Sequence, residues 1–347
     1  MHICRLFDKR RMKRPFQYLA ILSLSFLTLL AVGCDDEEET VTKSYMEGTL
    51  SFPFPSYVQK NSHVTVEVSG ITNPAEVTYK WTSPEIFPDT VISRIVSFRV
   101  PDSLGVFSIT AVAHAEGFYQ SATTVSFTSI DTVGGTALTG LKPSTTSFTD
   151  PRDGKVYPTV KIGALEWFAK NLSWDGTGGV YRNSPVTEGL FGRFYTWEEA
   201  TGNVSATGLA GGPQGACPTG WKVPTKEDYE DLAAALLGSA STFTDTWATL
   251  GDKLSAPAIF LNNKMWSYSP YNDHSNTSGW NAIPVGGAMI DHSNFTGFGN
   301  YAFFWTATAK DADKAYYRYI YGDLNTFPMS STSKTDFAAS VRCVRAL

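Results

Sequence analysis

The chain has 347 residues, of which 14% are aromatic and 18% charged, and its formal net charge at pH 7 is -5. This length is sufficient for a targeting segment followed by two domains of ordinary size, each with its own hydrophobic core. The acidic balance offers no basic surface to phosphate groups, so the composition excludes nucleic-acid binding.

The first part of the chain has the order of a secretory signal. Basic residues at 10–14 precede an apolar run from Phe16 to Val32, which has the length of a signal core and lies at the lower edge of what spans a bilayer. The sequence Ala31-Val32-Gly33-Cys34 resembles the lipobox of bacterial lipoproteins, which implies lipidation of Cys34 and removal of the residues before it. We expect residues 1–34 to be a lipoprotein signal peptide; an uncleaved anchor helix is the alternative.

Acidic residues follow Cys34 directly. Because the like charges of Asp35-Asp36-Glu37-Glu38-Glu39 repel one another, residues 35–44 are predicted to be a disordered tether. The run also resembles the export tag of surface lipoproteins in some Gram-negative bacteria. This implies a lipid-anchored protein of the outer membrane that is exposed at the cell surface and touches the membrane only through its lipid. Met12 opens a better signal than Met1, so both methionines are candidates for the true start.

Residues 45–130 have the pattern of a small all-β domain. Turn-forming pairs such as Asn73-Pro74 and Ser83-Pro84 separate alternating runs at intervals typical of a β-sandwich. These runs cover residues 63–68, 77–81, 95–100, 106–112 and 124–128. We predict an immunoglobulin-like or PKD-like sandwich with Trp81 in its core, which carries no chemistry and serves as a spacer above the membrane.

Residues 131–147 are rich in Gly, Ser and Thr and lose the alternation, so they are predicted to be a linker. Residues 148–347 combine short strand patterns with two brief helices and predict an α+β domain. The helices begin at Thr196 and Thr225, each followed three residues later by an acidic side chain that can complete a capping box. Gly238 ends the second helix. Strands are predicted near the end of the chain at 302–306, 316–320 and 340–344.

Two of the four cysteines lie outside the targeting segment. In an oxidising compartment, Cys217 and Cys343 are more naturally a disulfide than a metal site, which would require four ligands at short spacing. A loop of this size would stabilise the fold by about 4–5 kcal/mol on the chain-entropy argument. Two free buried thiols are the alternative.

Several sequence blocks of the last region resemble the FISUMP ("major paralogous") domain of bacterial surface lipoproteins. In chain order they are Asp150 to Tyr157, Lys161 to Gly163, Trp167 to Leu172, Gly192 to Trp197, Ala216 to Thr225, Phe304 to Thr308 and Ser340 to Val344. Similarity also extends to formylglycine-generating enzymes, whose core is C-type-lectin-like. The resemblance therefore implies a lectin-like fold with a long irregular loop region for residues 148–347, and no established reaction.

The sequence lacks the usual markers of catalysis. It contains no His-Glu-x-x-His, Gly-x-Ser-x-Gly or phosphate-loop motif, so metalloprotease, serine hydrolase and nucleotide chemistry lack their residues. Formylglycine-type oxidation needs reactive cysteines, whereas Cys217 and Cys343 are assigned to the disulfide. We expect no catalytic residue, no metal site and no cofactor.

Aromatic and amide side chains concentrate between residues 266 and 281. Such rings can stack on apolar sugar faces while amides and carboxylates bond hydroxyl groups. The candidate ligand-binding residues are Trp266, Tyr268, Tyr271, Asn272, Asp273, Trp280 and Asn281. Their oxygens can also hold Ca²⁺, although the calcium-lectin motifs are not matched, since Pro284 lies between Ile283 and Val285. The alternative is that the rings form loop core and the polar residues stabilise turns.

Two functions fit these features. The first is a surface-anchored lipoprotein whose distal module recognises an extracellular glycan or protein ligand without catalysis. The second is a structural or assembly subunit of a surface appendage or an outer-membrane complex. The tether, the spacer and the lectin-like tip favour the first.

Overall fold

The computed structural model describes residues 42–238 and 244–347. The predicted signal peptide with Cys34, and residues 35–41 of the predicted tether, lie outside the described residues. Within the two described ranges, no helix is long and apolar enough to cross a membrane.

Residues 43–130 are all β, as predicted. The strands are β1 Glu47–Ser51, β2 Tyr57–Gln59, β3 His63–Glu67, β4 Ser69–Asn73, β5 Thr78–Thr82, β6 Val91–Ile92, β7 Ile95–Arg99, β8 Gly105–His114 and β9 Ser121–Ile130. A five-stranded sheet has the order β2-β9-β8-β5-β6, while β3 pairs with β7 and β1 with β4. Every predicted alternating run is a strand, because its apolar residues on one face enter a shared core. Trp81 lies fully buried in that core, as predicted.

The remaining residues form several small sheets and four short α-helices within the described ranges. The strands are β10 Leu138–Thr139, β11 Thr146–Thr149, β12 Val156–Ile162, β13 Leu165–Phe168, β14 Tyr195–Thr196, β15 Thr246–Trp247, β16 Ile259–Phe260, β17 Asn263–Lys264, β18 Gly287–Met289, β19 Phe295–Thr296, β20 Tyr301–Ala309, β21 Lys314–Tyr321, β22 Phe327–Ser333, β23 Phe337–Ala339 and β24 Val344–Ala346. The helices are α1 Glu188–Phe191, α2 Trp197–Thr201, α3 Lys226–Leu237 and α4 Leu250–Leu254, and short 3-10 turns cover Tyr181–Asn183 and Pro185–Thr187.

Both predicted helix starts are confirmed. The hydroxyl of Thr196 accepts from the backbone N–H of Glu199, whose carboxylate accepts from the N–H of Thr196, and Thr225 and Asp228 form the same capping box. Gly238 ends α3 in the left-handed conformation, at φ 68°, which an L side chain adopts only with strain. The caps thus satisfy N–H groups that a short helix cannot bond internally.

The predicted disulfide is confirmed, and it ties the loop before α3 to the end of the chain. Cys217 and Cys343 are bonded and fully buried. Near it, β24 pairs with β13 in the sheet β11-β12-β13-β24, so the last strand of the chain shares a sheet with three strands from residues 146–168.

The prediction of one continuous strand over residues 340–344 is wrong for residues 341–343. The ladder of β23 ends at Ala339 and β24 begins only at Val344. Between them, Arg342 turns its side chain into the interior and Cys343 enters the disulfide, and the backbone makes isolated hydrogen bonds instead of a continuous ladder. One such bond runs from Phe168 N–H to Cys343 O at 2.9 Å.

Residues 131–147, predicted as a linker, contain short strands that pack on the rest of the chain. β10 pairs with β16, and Ala137 is buried. Nearby, the backbone N–H of Tyr57 donates to Ser184 Oγ at 2.9 Å, and the ring of Tyr57 lies 5.5 Å from that of Phe260. Residues 43–347 consequently form one compact unit.

Candidate functional site

The predicted ligand-binding residues lie in the long irregular segment between β17 and β18, and they divide into an exposed group and a buried group. The rings of Tyr268 and Tyr271 are 63% and 71% exposed, and Asp273 is exposed beside them. Large aromatic side chains normally bury most of their surface, so two exposed rings close together in sequence are available to a ligand.

Trp266 and Asn272 form the base beneath these exposed residues. Trp266 is buried and its Nε1 donates to Ala256 O at 2.9 Å. Asn272 is also buried, where its Nδ2 donates to Leu324 O at 3.1 Å and its Oδ1 accepts from the backbone N–H of His274 at 3.1 Å. Both side chains therefore hold the segment in place, and they support the neighbouring exposed residues.

Trp280 and Asn281 lie elsewhere, in the interior. Trp280 has no exposed surface, and its ring packs edge-on against Phe304 at 4.7 Å. The Oδ1 of Asn281 accepts from Asn276 Nδ2 and from the backbone N–H of Lys142, and its Nδ2 donates to Lys142 O. Packing covers the Trp280 ring and internal hydrogen bonds occupy the Asn281 amide, so these two side chains form no part of a surface with the exposed tyrosines.

A cavity of about 370 Å³ lies next to the exposed tyrosines along the chain: their neighbours Ser269 and Asn272 line it, whereas the two tyrosines do not. Three of the predicted residues, Trp266, Asn272 and Asp273, line it. Its other walls come from Pro257, Ala258, Ile259, Lys264, Ser269 and His274. Its size lies at the small end of ligand pockets, and its lining combines apolar walls with a few polar groups.

His274 lines this cavity but is not among the predicted ligand-binding residues. Its ring stacks on Trp266 with centroids 4.4 Å apart and planes 8° apart. Ser255 Oγ donates to Gly251 O at 2.7 Å, so its 2.8 Å contact with His274 Nδ1 is one in which the imidazole N–H donates. The other nitrogen, Nε2, is then a bare acceptor, and it is buried without a hydrogen-bond partner in the structure.

Burial also keeps this imidazole neutral. It lowers the pKa of His274 from 6.5 to about 4, against a smaller opposing effect of the Asp252 charge. A neutral imidazole with a free Nε2 lone pair accepts a hydrogen bond from a hydroxyl or an amide. The only sequence signal for this role was the position of His274 next to Asp273.

The cavity lining includes one carboxylate, that of Asp273. Hydrolysis of a glycosidic bond by the common mechanisms uses two facing carboxylates. In residues 42–238 and 244–347, no three or more His, Cys, Asp or Glu side chains cluster closely enough to hold a metal ion. The groups that the cavity does offer, an acid, a hydroxyl, an ammonium and an imidazole acceptor, suit hydrogen bonding to a polar ligand.

A second feature, Arg342, joins several of the sequence blocks on which the resemblance rests. Its Nε donates to Asn171 Oδ1 at 2.8 Å, and its Nη1 donates to the carbonyls of Phe168 and Trp280. Its Nη2 donates to Asn281 O at 2.8 Å, and the guanidinium lies 4.4 Å from the Trp280 ring centroid. Arg342 is fully buried. One side chain thus joins two distant segments, the one at Phe168 and Asn171 and the one at Trp280 and Asn281.

Residues 160–345, just over half of the chain, match the family model described as the Fibrobacter succinogenes major domain. The matched range contains the cavity beside the tyrosines, Arg342, and all of the sequence blocks named above except the first. No curated protein matches the chain.

Proposed function

The chain belongs to the Fibrobacter succinogenes major domain family, and from this membership and the geometry above we propose that it is a surface-anchored lipoprotein with a non-catalytic binding module. The module is the region from residue 148 onwards, with a C-type-lectin-like fold, and residues 45–130 are an Ig-like or PKD-like spacer. The ligand is an extracellular glycan. The observation that carries this proposal is the pair of exposed rings, Tyr268 and Tyr271, beside the cavity lined by Asp273 and His274.

The chemistry of the cavity matches that of a sugar. A pyranose ring has apolar C–H faces, which pack on tyrosine rings, and hydroxyl groups, which both donate and accept hydrogen bonds. The carboxylate of Asp273 accepts hydrogen bonds from hydroxyls, whereas Lys264 donates to them. The buried side chains of Trp266 and Asn272 hold these groups on a rigid base, which limits the ordering entropy that binding would cost.

The binding test is a glycan array probed with the full chain, in the presence and absence of Ca²⁺. For a glycan that binds, the double variant Tyr268→Ala, Tyr271→Ala should lose affinity about tenfold or more, since each stacked ring contributes on the order of 1 kcal/mol. Tyr119→Ala is the matched control, because it removes another exposed tyrosine far along the chain in residues 43–130.

The proposal is wrong if no glycan binds, or if the double variant binds as well as the control. Capture of a defined protein partner by a chain that binds no glycan would instead support the assembly role.

The anchor has a separate test. Metabolic labelling with a fatty acid should label the expressed chain, and Cys34→Ala should abolish the label. The absence of label in the unaltered chain would contradict lipidation without affecting the binding proposal.

A further inference from the structure

A second cavity, of about 360 Å³, lies on another part of the region that follows residue 130. Its apolar walls include Leu138 and Leu141 from the predicted linker, Val156 from β12, Leu190 from α1 and Ile283. Polar side chains reach it mainly from Lys142, Lys170, Asn171, Asn281 and Arg342. The cavity is therefore apolar over most of its surface, and each of its charged side chains is a cation.

Most of the polar groups around this cavity already have partners within the protein. Arg342 directs its hydrogen bonds to one amide oxygen and three backbone carbonyls. Asn281 bonds Asn276 and Lys142, as described above. Lys142 Nζ donates to Thr277 O at 2.7 Å. None of these partners is a carboxylate, so their positive charges are not neutralised by a contacting acid.

Lys170 is the exception. Its side chain is half-buried, and within the described residues its Nζ has no hydrogen bond and no ion pair. The carboxylate that acts on it most directly, Glu188, is already paired with Lys155 Nζ at 3.1 Å and Arg193 Nη1 at 2.6 Å. Burial lowers the pKa of Lys170, because the charged ammonium loses hydration and no contacting counter-ion compensates for that loss.

We propose that this cavity binds a small apolar carboxylate, whose anionic group pairs with Lys170 and whose hydrocarbon body packs on the walls formed by Leu138, Leu141, Val156, Leu190 and Ile283. One ammonium is free to bond the ligand, which suits a single negative charge. A phosphate dianion would lose more hydration on entering such apolar walls than one ammonium replaces. The site is separate from the cavity beside Tyr268, and the inference does not depend on the glycan proposal.

The test uses three probes of equal chain length, hexanoate, hexan-1-ol and hexylammonium, titrated into the full chain and followed by NMR. Hexanoate should bind at least about tenfold more tightly than hexan-1-ol, because a charge-assisted hydrogen bond is added, and hexylammonium more weakly than either. Lys170→Met keeps the apolar stem and removes the charge. It should reduce hexanoate affinity about tenfold and leave that of hexan-1-ol within about twofold.

Lys161→Met is the matched control, since Lys161 is exposed and lies outside the cavity lining. It should bind all three probes as the unaltered chain does. A measurement on the unaltered chain covers the case in which Lys170→Met does not fold: hexanoate, but not hexan-1-ol, should shift the Lys170 side-chain signals. Equal affinity for acid and alcohol, no binding of hexanoate, or unchanged hexanoate affinity in folded Lys170→Met would each overturn the proposal.

Discussion

Replacing Arg342 with Met should destabilise the fold strongly, because it removes a side chain that hydrogen-bonds both the segment at Phe168 and the segment at Trp280 and Asn281. Three of its four hydrogen bonds end on buried backbone carbonyls, which would be left without these donors. Methionine has a similar stem and fills most of the space. The variant therefore measures the loss of the guanidinium more than the opening of a cavity.

The magnitude follows from two opposing effects. A hydrogen bond from a charged group contributes about 1.5–3 kcal/mol, so four of them sum to at least about 6 kcal/mol. Burying the cation without a carboxylate costs several kcal/mol, and this burial lowers the pKa of Arg342 to about 9. In the Arg342→Met variant the cost of burying the cation disappears, but the buried carbonyls lose their hydrogen-bond donors. We therefore expect a net loss of about 3–5 kcal/mol in the free energy of unfolding.

The assay is guanidinium chloride unfolding at pH 7 with the disulfide intact, followed by tryptophan fluorescence. Arg94→Met is the matched control. The side chains of Arg94 and of its partner Glu67 are 65% and 53% exposed, and the two pair at 3.0 Å. A surface ion pair of this kind contributes about 0–1 kcal/mol. A loss of less than about 1 kcal/mol for Arg342→Met, or one no larger than that of the control, would refute the assigned role of the buried guanidinium.

Three further outcomes are expected. Replacing both Cys217 and Cys343 with Ser should lower the free energy of unfolding by about 2–5 kcal/mol. Denaturant unfolding of the variant, and of the unaltered chain with and without reductant, measures this loss. An unaltered unfolding midpoint would contradict the stabilising role of the disulfide. Thr225→Ala should cost about 1 kcal/mol through loss of the α3 cap, and a helix as stable as before in denaturant would argue against that cap. Because His274 has a pKa of about 4 when folded and 6.5 when unfolded, the unfolded state binds more protons between these values. Stability should therefore fall as the pH drops from about 6.5 to about 4, and His274→Gln should remove this part of the pH dependence; identical profiles for the two proteins would contradict it.

Local features were predicted well because their physical cause is local. The capping boxes at Thr196 and Thr225 depend on side chains three residues apart, and the strands of residues 43–130 depend on simple alternation. Cys217 and Cys343 lie far apart in sequence, yet their pairing could be predicted because they are the two cysteines outside the targeting segment.

The candidate site was predicted only in part, because aromatic residues serve equally as core and as binding surface. Trp280 and Tyr271 looked alike in a polar, glycine-containing segment, but the structure buries the first against Phe304 and exposes the second. In the same way, Asn281 was a candidate ligand-binding residue, but its side-chain oxygen accepts hydrogen bonds within the protein from Asn276 and Lys142. Exposure depends on residues far along the chain, which no local pattern includes.

The sequence by itself determined the family, the β-rich character, the short capped helices and the disulfide, since each depends on residue types at near or countable positions. Only the tertiary structure decided that Arg342 leaves its predicted strand to bind two separate segments of the chain. It also decided that the predicted linker forms a cavity wall, and that Lys170 has no counter-ion in contact with it among the residues that the structure describes. These outcomes depend on which distant segments meet and on which polar groups are left unsatisfied when they do, and that is a property of the packed chain.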